Sequence, residues 1–148
     1  MGYCLEADLQ ADIPDTRLAE LTAESGTVID SAIVTKAIDS ASDAMDRYLA
    51  GRYTVPVTDA TALEILRPTC VAIVRFRLYG RRDQSMDPKD DPVRVEYDEA
   101  MRWLRDVAKG AADLPPSATA ATVTIPDADS DDASFGSEDP VFTDAGLL

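Results

Sequence analysis

The chain has 148 residues, 45% of them apolar, and carries a net charge of −14. That length suits one domain rather than two. No apolar run approaches the roughly 20 residues of a membrane-spanning helix, and the opening MGYCLEADLQ has neither basic residues nor a signal core, so no membrane segment or leader is expected.

In chain order, Tyr3 to Leu21 reads as two short helical turns broken at Pro14, which opens the second with Asp15 in its first turn. A loop through Ser25-Gly26 follows. The clearest helix signal runs from about Asp30 to Ala50. There Ile33, Val34, Ala37, Ile38, Ala41, Ala44, Met45, Tyr48 and Leu49 repeat at helical spacing, and Lys36, Asp39, Asp43, Asp46 and Arg47 fill the other side. Asp30 is placed to cap its start and Gly51 to end it.

Tyr53 to Val57 reads as an extended connector. From about Ala60 to Arg82 apolar residues cover nearly the whole circumference, the mark of a central, buried helix. Pro68 either kinks this helix or marks its true start. A turn-rich link from Asp87 to Pro92 leads to a last helix, from Pro92 to about Ala108. Val93, Tyr97, Ala100, Met101, Leu104 and Val107 form its stripe, Trp103 lies off it, and Gly110 ends it.

Beyond Gly110 the character changes. Every basic residue lies at or before Lys109, and eight acids follow, which leaves the body, with 20 acids against 14 bases, at −6. The expected fold is all-α: a small helical bundle over residues 1–110 with a long, mostly extended acidic C-terminal arm over 111–148. Val123-Thr124-Ile125 and Val141-Phe142-Thr143 are short strand-like islands within that arm. Duplex DNA is repelled by such a charge rather than gripped.

The chemistry is bounded mainly by what is missing. Without histidine there is no Ser-His-Asp or Cys-His site and no HExxH zinc helix. Neither GxGxxG nor GxxxxGK[ST] occurs. No enzyme activity, cofactor or metal is expected. Asp127, Asp129, Asp131 and Glu138 occupy positions 1, 3, 5 and 12 of a calcium loop, but Asp132 stands where a glycine is needed and prolines flank the segment. Cys4 and Cys70 read as reduced thiols rather than a staple. Arg75, Arg77, Arg81 and Arg82 admit two readings. They solvate a helix end and pair with nearby acids, or they dock as inter-subunit ion pairs on acidic neighbours.

Several stretches together resemble one family. They are Tyr3-Cys4-Leu5 with Ala7-Asp8-Leu9, Ile13-Pro14, Ala37 to Ser42, Tyr48 to Tyr53 leading to Pro56, Ile73 to Tyr79, Tyr97 to Leu104, and Phe135-Gly136-Ser137 with Val141 to Thr143. In this order they resemble the Mu-like phage neck proteins. Ala72 in place of an acid, Pro68 within its helix and Asp144 in place of a base depart from that pattern.

The resemblance implies a head-completion adaptor in the virion neck, assembled in the bacterial cytoplasm. It would form a homo-oligomeric, portal-matched dodecameric ring between the portal and a tail or stopper protein, with DNA passing through its lumen. On this reading the arm binds a neighbour or the portal through Phe135, Val141, Phe142, Leu147 and Leu148, with the Val141 stretch adding a strand. The competing reading is a small helical regulatory or DNA-binding protein, which needs a basic face that the negative body argues against.

Overall fold

The computed structural model describes residues 2–25, 27–82 and 91–121. Five helices make up the body: α1 (Glu6–Asp12), α2 (Asp15–Thr22), α3 (Ser31–Leu49), α4 (Ala60–Arg82) and α5 (Pro92–Lys109). Among the described residues the only β pairing is an isolated antiparallel bridge between Tyr53 and Ala120, so the fold is all-α as its sequence pattern requires.

Local chemistry fixes each boundary. The Asp8 carboxylate accepts the Leu5 amide at 2.8 Å and closes the first turn of α1. Asp30 caps α3 by accepting the amides of Ala32 at 3.0 Å and Ile33 at 3.3 Å. Asp59 does the same for α4 through Ala62, at 2.8 Å. Asp91 caps α5 through Val93 at 3.0 Å, with Pro92 in the first turn where no amide is needed. Gly110, at φ 82°, adopts the left-handed turn that ends α5, a conformation costly for any residue with a Cβ. Gly51 has no such role: α3 closes through Ala50, which stays right-handed.

Helices α3 and α4 form the centre, and α4 packs against all four others. Pro68 lies inside α4 rather than at its start, on the solvent side. The encircling burial expected of α4 is confined to its second half. In the first half Glu64, Arg67 and Pro68 face solvent and Ile65 is 40% exposed. Cys70, Ile73, Val74 and Leu78 are buried, while Val71, Phe76 and Tyr79 are half-buried against α2, α3 and α5. Phe76 stacks on Tyr97 with ring centroids 4.1 Å apart and locks α4 to α5.

Among the described residues two polar side chains, Thr22 and Ser42, are buried, and each is satisfied. Thr22 Oγ1 donates to the Leu18 carbonyl and accepts the Asp30 amide, tying the end of α2 to the start of α3. Ser42 Oγ donates to the Ile38 carbonyl and accepts the Tyr3 amide at 3.0 Å, holding the amino-terminal segment on α3. Beside it Cys4 and Cys70 are free thiols, both buried, with sulfurs 3.0 Å apart.

Residues 111–121, expected to begin the extended arm, are seated on the body. Leu114 and Ala118 are 4% and 6% exposed and belong to the core. Leucine and alanine among prolines and serines give no helical stripe, yet two apolar contacts suffice when the backbone polar groups find partners nearby.

Candidate assembly surface

The anchor of that extension is Arg52. Its Nη1 donates to the carbonyls of Val107 at 2.9 Å and Ala112 at 3.1 Å, and its Nη2 meets Asp113 at 2.7 Å. The side chain thus reads both the carboxyl end of α5 and the turn after it. Its pKa is pushed up further by the hydrogen bond with Asp113, so it stays charged throughout.

Tyr53, next in sequence, accepts the Leu114 amide at 2.9 Å on its hydroxyl. Main-chain bonds finish the attachment: the Thr54 amide donates to Thr119 at 2.9 Å and the Ala121 amide to Arg52 at 2.8 Å. The described chain therefore ends at Ala121, held beside the end of α3.

The four expected arginines fall into separate uses. Arg75 Nη1 lies 2.9 Å from both Asp12 and Glu96, and its side chain is only 18% exposed. It links α1, α4 and α5 within one chain, the pairing with nearby acids that the first of its two readings expects. Arg81 donates to the Thr22 carbonyl at 3.3 Å and Arg82 to that of Ala23, so both meet the carboxyl end of α2, where a helix presents unpaired carbonyls. Arg77 donates to Ser40 Oγ at 2.6 Å. The arm residues Phe135, Val141, Phe142, Leu147 and Leu148 lie outside the described residues, as do the calcium-like acids.

Two grooves of opposite character open on the body. The first, about 630 Å³, runs between α1, α4 and α5. Pro68, Ala72 and Trp103 give it an apolar floor; Asp8, Asp12, Glu96 and Glu99 contribute acids, of which Asp8 pairs with Arg67, also in the lining, and Asp12 and Glu96 pair with Arg75. The second, about 340 Å³, lies between α3 and α4. It is floored by Ile33, Ala37 and Leu78, with Lys36, Arg77 and Arg81 as its charges. Among the described residues no cluster of three or more metal-ligating side chains is found, and no helix is long and apolar enough to cross a membrane.

Sequence reasoning missed Arg52, the second groove and the packing of 111–121. Arg52 was visible only as part of the Tyr48–Tyr53 stretch; nothing local announces a partner 55 positions away.

Among the described residues, fold and surface define a small helical body of five helices that holds residues 111–121 against itself and displays one acid-rich and one basic groove. The chain belongs to the family described as Bacteriophage Mu, Gp36, which matches residues 3–131, and it is therefore a phage protein. It is 35% identical over 86 residues to the Mu-like prophage FluMu protein gp36 of Haemophilus influenzae, covering 58% of this chain and 55% of that protein. It is 29% identical over 145 residues to Gene product J of Escherichia phage Mu, covering 97% and 95%. The match thus spans about half the length of the first relative and nearly all of the second.

Proposed function

We propose that this chain is a non-enzymatic structural connector of the phage neck. Copies form a ring, portal-matched and dodecameric, between the portal and a tail or stopper protein, and DNA passes through the lumen without specific binding. The observation that carries this reading is the rigid seating of residues 111–121 by Arg52 and Tyr53, in a member of a Mu-phage family. A connector must hand part of itself to a neighbour from a fixed position. An extension rooted by backbone carbonyl and amide contacts along its length provides the fixed end.

Beyond that root, the segment 122–148 carries Phe135, Phe142, Leu147 and Leu148 as apolar anchors and Val141 to Thr143 as a candidate added strand. Head-to-tail contacts of this kind close into rings when the rotation allows. The net negative charge favours passage of DNA over adhesion.

Quantitative mass spectrometry of purified particles from the source phage tests the reading. Copy numbers equal to those of the portal protein are expected. Absence from the particles overturns it and favours the regulatory alternative.

A further inference from the structure

Among the described residues, the α3–α4 groove gathers three positive side chains in a strongly negative chain. Lys36, Arg77 and Arg81 border it, and none of the three meets a carboxylate among the described residues. Arg77 and Arg81 are turned toward it by neutral partners only, Ser40 Oγ and the Thr22 carbonyl. Its apolar floor, Ile33, Ala37 and Leu78, suits a peptide better than a free ion.

The chain also supplies an acidic segment of matching placement. Asp127, Asp129, Asp131 and Asp132 stand together in a stretch, 122–148, that has acids and no bases. The described chain ends at Ala121, bonded to Arg52 just past the end of α3. From there back along α3 to Ser40 and Lys36 is about 18 to 24 Å at roughly 1.5 Å per residue. An extended chain reaches Asp127 about 20 Å from Ala121 and Asp132 about 37 Å from it. The groove is therefore within reach of the acid cluster, and Asp127 is the first of those acids that an extended chain can bring to it. Tethering so short holds the acids near the groove at an effective concentration in roughly the millimolar range, enough for ion pairs that are individually weak.

We propose that the groove formed by Lys36, Arg77 and Arg81 is the docking site for the Asp127–Asp132 segment of the same chain, which straps back along α3. The strap neutralises the body's positive patch and sets the point from which residues 133–148 depart. It goes beyond the connector reading and does not need it, because it is a property of the isolated chain.

The test is carbodiimide cross-linking of the full-length protein as an equal mixture of ¹⁴N and ¹⁵N chains, read by mass spectrometry. Amide links from Lys36 to the acids of 127–132 are expected within one isotope class, at low salt. They should exceed links from the exposed Lys109 and fall about tenfold in Arg77→Glu/Arg81→Glu, where like charges now face the acids. Circular dichroism of that variant should match the parent, since Arg81 is exposed and Arg77 half-buried.

Links from Lys36 only to its helical neighbour Asp39 overturn the proposal, as does equal labelling of Lys36 and Lys109. Predominantly mixed-isotope links overturn it in favour of a neighbour's segment. Retardation of a short DNA duplex by the full chain, lost in the double variant, overturns it in favour of nucleic acid.

Discussion

The guanidinium of Arg52 lies 2.9 Å from the carbonyl of Val107, and this one bond joins the loop after α3 to the last turn of α5. The same nitrogen also takes the Ala112 carbonyl, and the second takes Asp113. Arg52→Ala removes all three at once: the Ala112 carbonyl loses its guanidinium donor, and that of Val107 keeps only the Gly110 amide. Limited proteolysis should then cut within 111–121 faster than in the parent, while the helical circular dichroism holds. Arg52→Lys should restore only part of the protection, because a single ammonium cannot span the fork. Equal cleavage rates in all three proteins would remove Arg52 as the anchor.

Neighbouring residues of α4 separate the buried face from the open one. Leu66 is fully buried, whereas Ile65 is 40% exposed. Leu66→Ala should lower stability in urea by about 2–5 kcal/mol, through lost burial and the cavity left behind. Ile65→Ala should change it by under about 0.5 kcal/mol. Similar losses at both would mean that α4 is turned about its axis from the register described.

The helices themselves were legible in the sequence because apolar spacing and capping residues act locally. Asp30 and Gly110 announce the start of α3 and the end of α5, whereas the Asp91 cap stood hidden in a turn-rich link. The seating of Leu114 and Ala118 was not legible, since it depends on Tyr53 and Arg52, some 60 positions earlier, and a Pro-Ser-Ala-Thr composition reads as unstructured. The candidate site was legible only in part. Arg77 and Arg81 share a helix face by spacing, but their assembly with Lys36 needs the packing of α3 on α4.

Tyr3 carries the clearest pH dependence. Its hydroxyl donates to the Asp46 carboxylate and accepts the Val57 amide at 3.1 Å. Burial, then the bond to Asp46, pushes the phenol above its ordinary value of 10.0. In the unfolded chain the phenol ionises first, so the stability tied to the protonated form is complete below about pH 10 and is lost as pH rises above it. Tyr3→Phe should cost about 1–3 kcal/mol at pH 7, by leaving Val57 and Asp46 short of a partner. The gap between the two proteins should narrow on raising the pH past about 10. A pH-independent gap would remove the phenol as its source.

Cys4 and Cys70 should be silent toward reagents while the protein is folded. Both are buried, and Cys4 donates to Cys70. The hydrogen bond with Cys70 and burial push the Cys4 thiol up, whereas receiving that bond lowers Cys70, so it is the burial of both sulfurs that keeps the reagent out. Iodoacetamide at pH 8 is expected to label neither thiol in buffer and both in urea. Rapid labelling in buffer would show that the amino-terminal segment opens far more readily than its bonds to Ser42 and Asp46 imply.

Pro68 gives the last prediction. It sits inside α4, where a proline lacks the amide that would bond back to the Glu64 carbonyl and crowds that turn. The side chain is exposed and helps line the acidic groove beside Trp103, so its removal leaves no cavity in the core. Pro68→Ala restores the missing bond and a better helix former, and should raise stability by about 1–3 kcal/mol in urea. It also reshapes the groove floor, because the pyrrolidine ring that lines it with Trp103 is lost. If that groove receives a partner in the neck, the variant should be more stable in isolation yet incorporate less well into particles than the parent. Greater stability with normal incorporation would leave the proline without an assembly role; lower stability would show that the turn is held by packing that the alanine cannot keep.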